Sequence, residues 1–473
     1  MLEEISDNDV TPHMHQHATA AQLYARLDRL PMTWAQGRIL LQGGISTTLD
    51  GLDNGIVSFI LPVVATAFAM TGTQQGLFGS AALVGALLGD LALGVLGNRM
   101  GRRNLLIWSL VVYSGAILVG ALAPSWQFLL ATRFLAGIGI GISVNVVVPY
   151  LAEFAPPAKR SHYVGSLAGF FGLGFVLAAI LGLIIPTFDG AWRFVQVLVG
   201  LPVLLAFWWR RALPESPRYL LMHGRVDEAE AVVEGLERRV VARTKAPLPP
   251  VPEASQTVAA ARPFREKLGA QLVLIWGRAL RRRTFVLWVI TITLSFAYYG
   301  FLTFLPTLLM QRGMSITESF SYSLLVEIAQ VVGYYPAAVL AEKLDRKWSL
   351  AIFMVLSVAS AGWLAVAPSS GQVLIASILL GFFLNGAYAP LYAYSAEIYP
   401  TESRAAGTAM SDAASRIGAA LSPAIIGATY ASIKFGGVFA MISVVLFLGV
   451  IVIVTMGMST KGRSLEELGA LDA

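Results

Sequence analysis

Charged residues and prolines in the first half of this 473-residue chain recur in the second half at one fixed offset. Glu153 matches Glu397, and that separation, 397 − 153 = 244, also carries Arg99 to Lys343, Arg102 to Arg346, Arg103 to Lys347 and Arg160 to Arg404. Pro62, Pro124 and Pro156 fall on Pro306, Pro368 and Pro400 at the same spacing. Coincidences of Gly or Leu mean little in an apolar chain, but matched charges and prolines at a single offset point to a duplicated structural unit. Two copies of one half are therefore expected.

With 56% hydrophobic residues, 13% charged and a mean hydropathy of +0.68, the chain is too apolar for a water-soluble domain. Crossing ~30 Å of hydrocarbon takes about 20 helical residues. Stretches of that kind occur at 40–68 (α1), 74–98 (α2), 104–123 (α3), 126–154 (α4), 161–186 (α5) and 191–210 (α6). They recur at 284–311 (α7), 316–341 (α8), 348–367 (α9), 371–398 (α10), 403–431 (α11) and 435–457 (α12). The pattern predicts an all-α membrane protein of twelve transmembrane helices in two six-helix halves. The expected divisions are a tail at 1–38, a first half at 39–210, a linker at 211–283, a second half at 284–458 and a tail at 459–473.

Lys and Arg concentrate on the cytoplasmic side of short membrane loops. Arg99, Arg102, Arg103, Lys159, Arg160, Lys343, Arg346, Lys347 and Arg404 all follow even-numbered helices, whereas the opposite loops hold little beyond Arg312 and Lys434. Both termini and the linker are thus expected in the cytoplasm, and the +6 net charge reflects topology rather than nucleic-acid binding. Absence of cysteine excludes disulfides, thiolate metal sites and cysteine nucleophiles. The polar N-terminus lacks the pattern of a cleaved signal peptide, and His13, His15 and His17 read as a solvated tail rather than a metal site. In the linker, residues 226–243 show mixed-charge helical spacing, 246–253 a Pro-rich break and 262–283 a basic amphipathic stretch. Helices lying on the cytoplasmic face are expected there, with a regulatory partner site as the alternative.

The run Gly94 to Arg103, G-V-L-G-N-R-M-G-R-R, resembles the α2–α3 loop of the major facilitator superfamily, and A-E-K-L-D-R-K from Ala341 to Lys347 takes the matching place in the second half. P-E-S-P-R-Y-L (Pro214 to Leu220) and T-K-G-R-S-L-E-E-L (Thr460 to Leu468) resemble the sugar porter branch. R-L-D-R-L-P (Arg26 to Pro31), L-D-G-L-D (Leu49 to Asp53), A-Q-V-V-G-Y (Ala329 to Tyr334) and S-R-I-G-A (Ser415 to Ala419) are similar instead to bacterial niacin and aromatic-acid proton symporters, themselves similar to organic ion transporters and synaptic vesicle glycoprotein 2. The resemblance spans essentially the whole chain. It departs at Asn98, where the family loop usually has Asp, and at Asp345, where it has Gly.

The resemblance implies a cytoplasmic gate of ion pairs formed by Asp90, Arg99, Arg102, Arg103, Glu153 and Arg160 in the first half and by Glu342, Arg346, Glu397 and Arg404 in the second. Helix capping and topology are the plainer roles for such charges. Substrate and coupling groups are expected where the repeat fails, because an asymmetric solute needs groups present in only one half. Asp50, Asp53, Arg133, Glu327 and Arg416 are such groups, each ionisable within an apolar helix. Asp50 and Asp53 share a face three residues apart, and their repulsion prepares one to carry a proton. Asp53 is the first candidate, with Arg133 at the same depth as a possible partner, and a permanent Asp53–Arg133 bridge is the structural alternative.

In the organic ion transporters the place of Arg416 tends to hold Arg in anion carriers, and Arg suits a carboxylate. Asp412, four residues earlier, offers an internal partner instead. Tyr298, Tyr334, Tyr388 and Tyr392, with Asn385, Gln330 and Glu327, would suit a planar aromatic or heterocyclic acid, although helical aromatic stripes are often plain packing. The expected function is proton-coupled symport of a small organic carboxylate by a monomeric multi-pass protein of the inner (plasma) membrane, with no cofactor and no metal. A sugar or polyol proton symporter is the alternative, and a non-transporting sensor the reading from another class. No phosphate loop, metal-ligand cluster or nucleophile motif suggests an enzyme.

Overall fold

The computed structural model describes residues 21–156, 159–251, 273–400 and 403–461. The first helices are α1 (Trp34–Ala67), α2 (Gly72–Met100), α3 (Arg102–Gly120) and α4 (Trp126–Phe154). α5 comprises Arg160–Gly165 and Leu167–Gly182, and α6 crosses Ala191–Ala212 with a tighter turn at Leu201–Leu204. The second half holds α7 (Arg281–Gln311), α8 (Ile316–Lys343), α9 (Arg346–Val366) and α10, in two pieces, Ser370–Gly386 and Tyr388–Ile398.

The last helical run, Arg404–Met456, covers 53 residues. Unbroken, it would extend ~80 Å at ~1.5 Å per residue, far beyond a bilayer. Lys434 interrupts it at φ 56° and ψ −174°, so the run divides into α11 (404–433) and α12 (435–456). Eleven described helical runs are long and apolar enough to cross a membrane, and this division of the last makes twelve crossings in two halves of six.

Helix starts follow local chemistry. Thr33 and Thr71 form capping boxes with Gln36 and Gln74, and Ser125, Ser315 and Ser369 cap α4, α8 and α10. Asp345, which replaces the expected glycine, caps α9 by accepting from the Lys347 amide at 2.9 Å. The corresponding residue of the first half, Gly101, sits at φ 81°, where a Cβ would meet Glu215 Oε2 at 2.5 Å. The two turns therefore solve one problem differently, by left-handed glycine and by an acidic cap.

Two boundaries differ from the sequence expectation. α1 begins at Trp34, inside the predicted tail, and a further helix occupies residues 21–28. The amphipathic helix expected over 262–283 is helical only at 273–275 among its described residues before α7 starts at Arg281; residues 252–272, like His13, His15 and His17, lie outside the described residues.

The linker helix Val226–Thr244 packs against the N-terminal segment. Arg26 pairs with Glu230 (3.0 Å) and Glu237 (2.7 Å), Arg29 also with Glu237 (2.7 Å), and Asp28 with Arg160 at 3.4 Å. Burial pulls the Glu237 carboxyl upward, but the hydrogen bonds from Arg26 and Arg29 outweigh it and hold the group below its ordinary value. R-L-D-R-L-P thus serves as a strap between the linker and the first half.

The halves meet along α2–α11, α5–α8 and α1–α7. At the face opposite the linker, the outer face, α2 and α11 touch backbone to backbone. A Cβ on Gly427 would meet Gly72 O and Gly76 Cα at 2.5 Å. Phe59 of α1 stacks edge-on against Phe320 of α8 at 5.1 Å. The outer face is closed.

Candidate functional site

Three groups of polar side chains lie within the membrane-spanning bundle. In the first half, Arg133 on α4 donates through Nη1 to Asp53 Oδ1 on α1 at 2.6 Å and through Nη2 to the Asp53 carbonyl at 3.3 Å. Asp50, one turn earlier, accepts from Ser143 Oγ at 3.0 Å, and Ser143 also bonds Ser46 at 3.0 Å. Relative exposures are 0% for Asp50, 1% for Asp53 and 5% for Arg133. Asp50 Oδ1, Asp53 Oδ2 and Arg133 Nε have no hydrogen-bond partner among the described residues. Arg133 is thus committed to Asp53 within a buried site. Asp50 forms no ion pair among the described residues.

The second group joins the halves. Arg416 on α11 donates through Nε to Asp90 Oδ2 on α2 at 3.2 Å, and Asn145 Nδ2 on α4 donates to Asp90 Oδ1 at 2.6 Å. The sequence analysis put Asp90 among the gate residues and offered Asp412 as the partner of Arg416. The fold puts Asp90 ten residues inside the helix end, ~15 Å deep, and twelve residues into α11 bring Arg416 to ~18 Å, so the two meet across the seam. Asp412 is exposed and forms no ion pair among the described residues. Arg416 engages Asp90 through Nε alone, leaving its two terminal nitrogens without a hydrogen bond to the described residues.

The third group is a wall in the second half. Gln330 Nε2 donates to Glu327 Oε2 at 3.0 Å, and Asn385 Nδ2 donates to the Gln330 carbonyl at 2.7 Å, tying α8 to α10. Tyr298 lies 5.4 Å from Tyr388, and Tyr388 lies 6.0 Å from Tyr392. Ser295 bridges the Tyr388 hydroxyl (3.2 Å) and Ser415 (2.6 Å), next to Arg416. Tyr334 touches Tyr335 instead of joining this row. Tyr392 is 55% exposed, and Asn145 and Asp412 are exposed too, so the interior is reachable from the linker face.

The expected gate residues pair mainly within their own halves. Glu153 accepts from Ser216 Oγ of the P-E-S-P-R run, and the Arg103 amide donates to Glu215 at 3.1 Å. Arg102 donates to the Gly97 carbonyl at 3.3 Å and lies over the Tyr219 ring, whose hydroxyl donates to the Arg99 carbonyl at 3.1 Å. Arg346 pairs with Glu397 at 3.1 Å, Glu342 is exposed, and Arg404 starts α11. Glu153 and Arg160 do not pair with each other, because Arg160 turns to Asp28 and to the Ala155 carbonyl. Apart from Asp90, which meets Arg416 across the halves, these contacts stay within one half or run to the adjoining linker and N-terminal segment.

Ser143, Asn145, Ser295 and Ser415 were not singled out from sequence. Asn145, an amide within an apolar helix, was the one carrying a visible signal.

A family model described as "Sugar (and other) transporter" matches residues 40–471. This chain belongs to that family, within the major facilitator superfamily. It is 33% identical over 451 residues to the niacin transporter NiaP of Acinetobacter baylyi, covering 94% of this chain and 99% of that one. It is 30% identical over 416 residues to the 4-hydroxybenzoate transporter PcaK of Pseudomonas aeruginosa, covering 86% and 88%. Among solved structures, the inward-open xylose transporter XylE from E. coli superposes with a TM-score of 0.74 at 20% identity, covering 93% of this chain and 100% of that one, a likeness of fold. The protein is a multi-pass membrane transporter, not an enzyme.

Proposed function

We propose that this transporter is a proton-coupled symporter of a small aromatic or heterocyclic carboxylate in a bacterial inner membrane. The observation that carries the proposal is Arg416, held at the seam by Asp90 through one nitrogen, with two charged donors left to grip a carboxylate in the bidentate manner guanidinium favours. Beside it, Tyr388 and Tyr298 offer ring faces at the right scale for one planar molecule, while Glu327 and Gln330 offer acceptors and a donor for a ring substituent. The printed names of the relatives, a niacin and a 4-hydroxybenzoate transporter, describe solutes of this kind.

Asp50, Asp53 and Arg133 carry the coupling. Burial in hydrocarbon of a carboxyl that has no ion pair is costly unless it is neutralised. Arg133 serves Asp53, so the proton resides on Asp50, where Ser143 positions the carboxyl. This choice reverses the order suggested by sequence. A co-transported proton draws on ~2.3 kcal/mol per 100 mV of membrane potential.

Reconstitution into proteoliposomes with an inward proton gradient and labelled nicotinate tests the reading. Unlabelled nicotinate and 4-hydroxybenzoate should compete, xylose should not, and a protonophore should abolish accumulation while sparing counterflow. Competition by xylose with no effect of either acid would establish the sugar reading in its place.

A further inference from the structure

Where the linker enters α7, the sequence places arginine at 278, 281, 282 and 283, and the structure uses them differently. Arg283 is buried and donates through Nη1 to the Ile398 carbonyl at 2.9 Å. Arg278, Arg281 and Arg282 are exposed, and their guanidiniums form no hydrogen bond or ion pair with the described residues. The Arg281 amide donates to the Gly277 carbonyl at 2.9 Å, so the chain already turns helically at 278, and spacings of three and four put these three arginines on one side. No Asp or Glu occurs in the sequence between Glu266 and Glu318 to neutralise them. Toward the bilayer the same side of α7 becomes apolar. Phe285, one turn on from Arg281 and Arg282, is exposed, and Trp276 folds back to stack edge-on against Trp288 at 5.3 Å. Thr284 Oγ1 fixes that fold-back by donating to the Ile275 carbonyl at 2.6 Å, which leaves Val273, Leu274 and Trp276 exposed beside the arginines. Trp288 lies ~10 Å beyond the start of α7 at Arg281, the depth at which aromatic rings gather at a bilayer's headgroup boundary.

We propose that this side of α7 binds one anionic phospholipid of the leaflet at the linker face, with its phosphate held by Arg278, Arg281 and Arg282 and an acyl chain lying along Phe285 and Trp288. Guanidinium donors suit a phosphate, and the exposed apolar residues one turn deeper suit the chain attached to it. A zwitterionic lipid brings its own cation up to the arginines, and a free phosphate has no chain for the aromatic surface, so neither matches both parts. An arginine beside an anionic lipid surface contributes ~1 kcal/mol, about fivefold in affinity. Occupancy pins the end of the linker and the first turn of α7 to the membrane surface.

Native mass spectrometry of the full-length protein in detergent, titrated with phosphatidylglycerol or with phosphatidylcholine of matched chains, reads the site directly. One phosphatidylglycerol should bind about tenfold or more tightly than phosphatidylcholine, and the combined variant Arg278→Gln, Arg281→Gln, Arg282→Gln should abolish that preference. Should this variant fold poorly, Arg282→Gln alone should weaken phosphatidylglycerol binding about fivefold. Excess inorganic phosphate should not displace the lipid. Arg210→Gln with Arg211→Gln removes two exposed arginines from the linker-side end of α6 and should leave the preference intact. An equal loss in that control would show diffuse charge attraction in place of a site, and displacement by inorganic phosphate would show a site for the free anion. A preference that emerges only with Glu466→Gln and Glu467→Gln would assign the face to the chain's own acidic tail. Each of these results, like an unchanged preference in the arginine variants, overturns the proposal. The readout is independent of transport, so failure of the substrate assignment above leaves it standing.

Discussion

Arg416 and Asp90 face each other across the two halves, so a carboxylate bound at Arg416 as proposed would share one guanidinium with Asp90. Arg416→Gln should weaken acid binding by ten- to a hundredfold, the loss of a charged hydrogen-bonding group worth ~1.5–3 kcal/mol, with Arg416→Lys in between. Asp90→Asn should instead tighten binding, because the guanidinium loses a competitor; calorimetric titration with nicotinate distinguishes the two directions. At the other cluster, Asp53→Asn strands Arg133 and should lower stability by ~3–5 kcal/mol. Asp50→Asn removes the unpaired carboxyl, and should leave the unfolding temperature unchanged or raised while accumulation is lost and counterflow persists. Thermal unfolding in detergent, read beside both transport assays, separates these outcomes. The ionisable residues themselves were visible in sequence as charges inside apolar helices. One pairing, Asp53 with Arg133, was visible as well, from their matched depth, and the two meet at 2.6 Å. That of Arg416 was not: Asp412 sits nearer in the chain, yet Asp90 from another helix takes the contact.

Among the elements, helix positions followed from the spacing of apolar runs and from capping residues, and α4 was placed at its observed bounds of 126–154. The break between α11 and α12 was placed as a loop holding Lys434, although the left-handed φ there belongs to a residue type with no special liking for it. The interruptions within α5, after Gly165, and within α10, after Gly386, were harder to see. The α2–α11 contact is a matter of glycine. Gly427→Val would set a branched side chain against Gly72 and Gly76, with no flexible neighbour able to give way. The expected result is a population shifted toward outer opening, measured as slower labelling of a cysteine introduced at Tyr392, the exposed position on the linker side. Labelling as fast as in the Gly427 parent would show that this contact does not govern closure.

For the whole molecule, the strap of Arg26 and Arg29 on Glu237 ties the linker helix to the first half, while the halves are held together by α1–α7, α2–α11 and α5–α8. Cutting the backbone within residues 246–251 should therefore yield two fragments that copurify and retain substrate binding when co-expressed, checked by affinity pull-down and calorimetry. Removing Glu237 as Glu237→Gln should free the N-terminal segment to protease without loss of the fragment pairing. The same release is expected in wild type as pH falls: a carboxyl whose folded pKa is depressed contributes its stabilisation above its ordinary range, ~4.3, and loses it as protons occupy the paired group below that.

Sequence alone determined the membrane class, the twelve crossings, the duplication and the superfamily, because hydropathy, charge bias and a fixed repeat are properties of order along the chain. It also marked Asp50, Asp53, Arg133, Glu327 and Arg416 as costly to bury. Only the tertiary structure decided that Arg416 meets Asp90, that Asp50 stands without an ion pair among the described residues and which face of the molecule is closed. Those outcomes depend on how helices far apart in sequence lie side by side, at the scale of a single hydrogen bond, and periodicity along one strand of sequence carries no record of that depth or rotation.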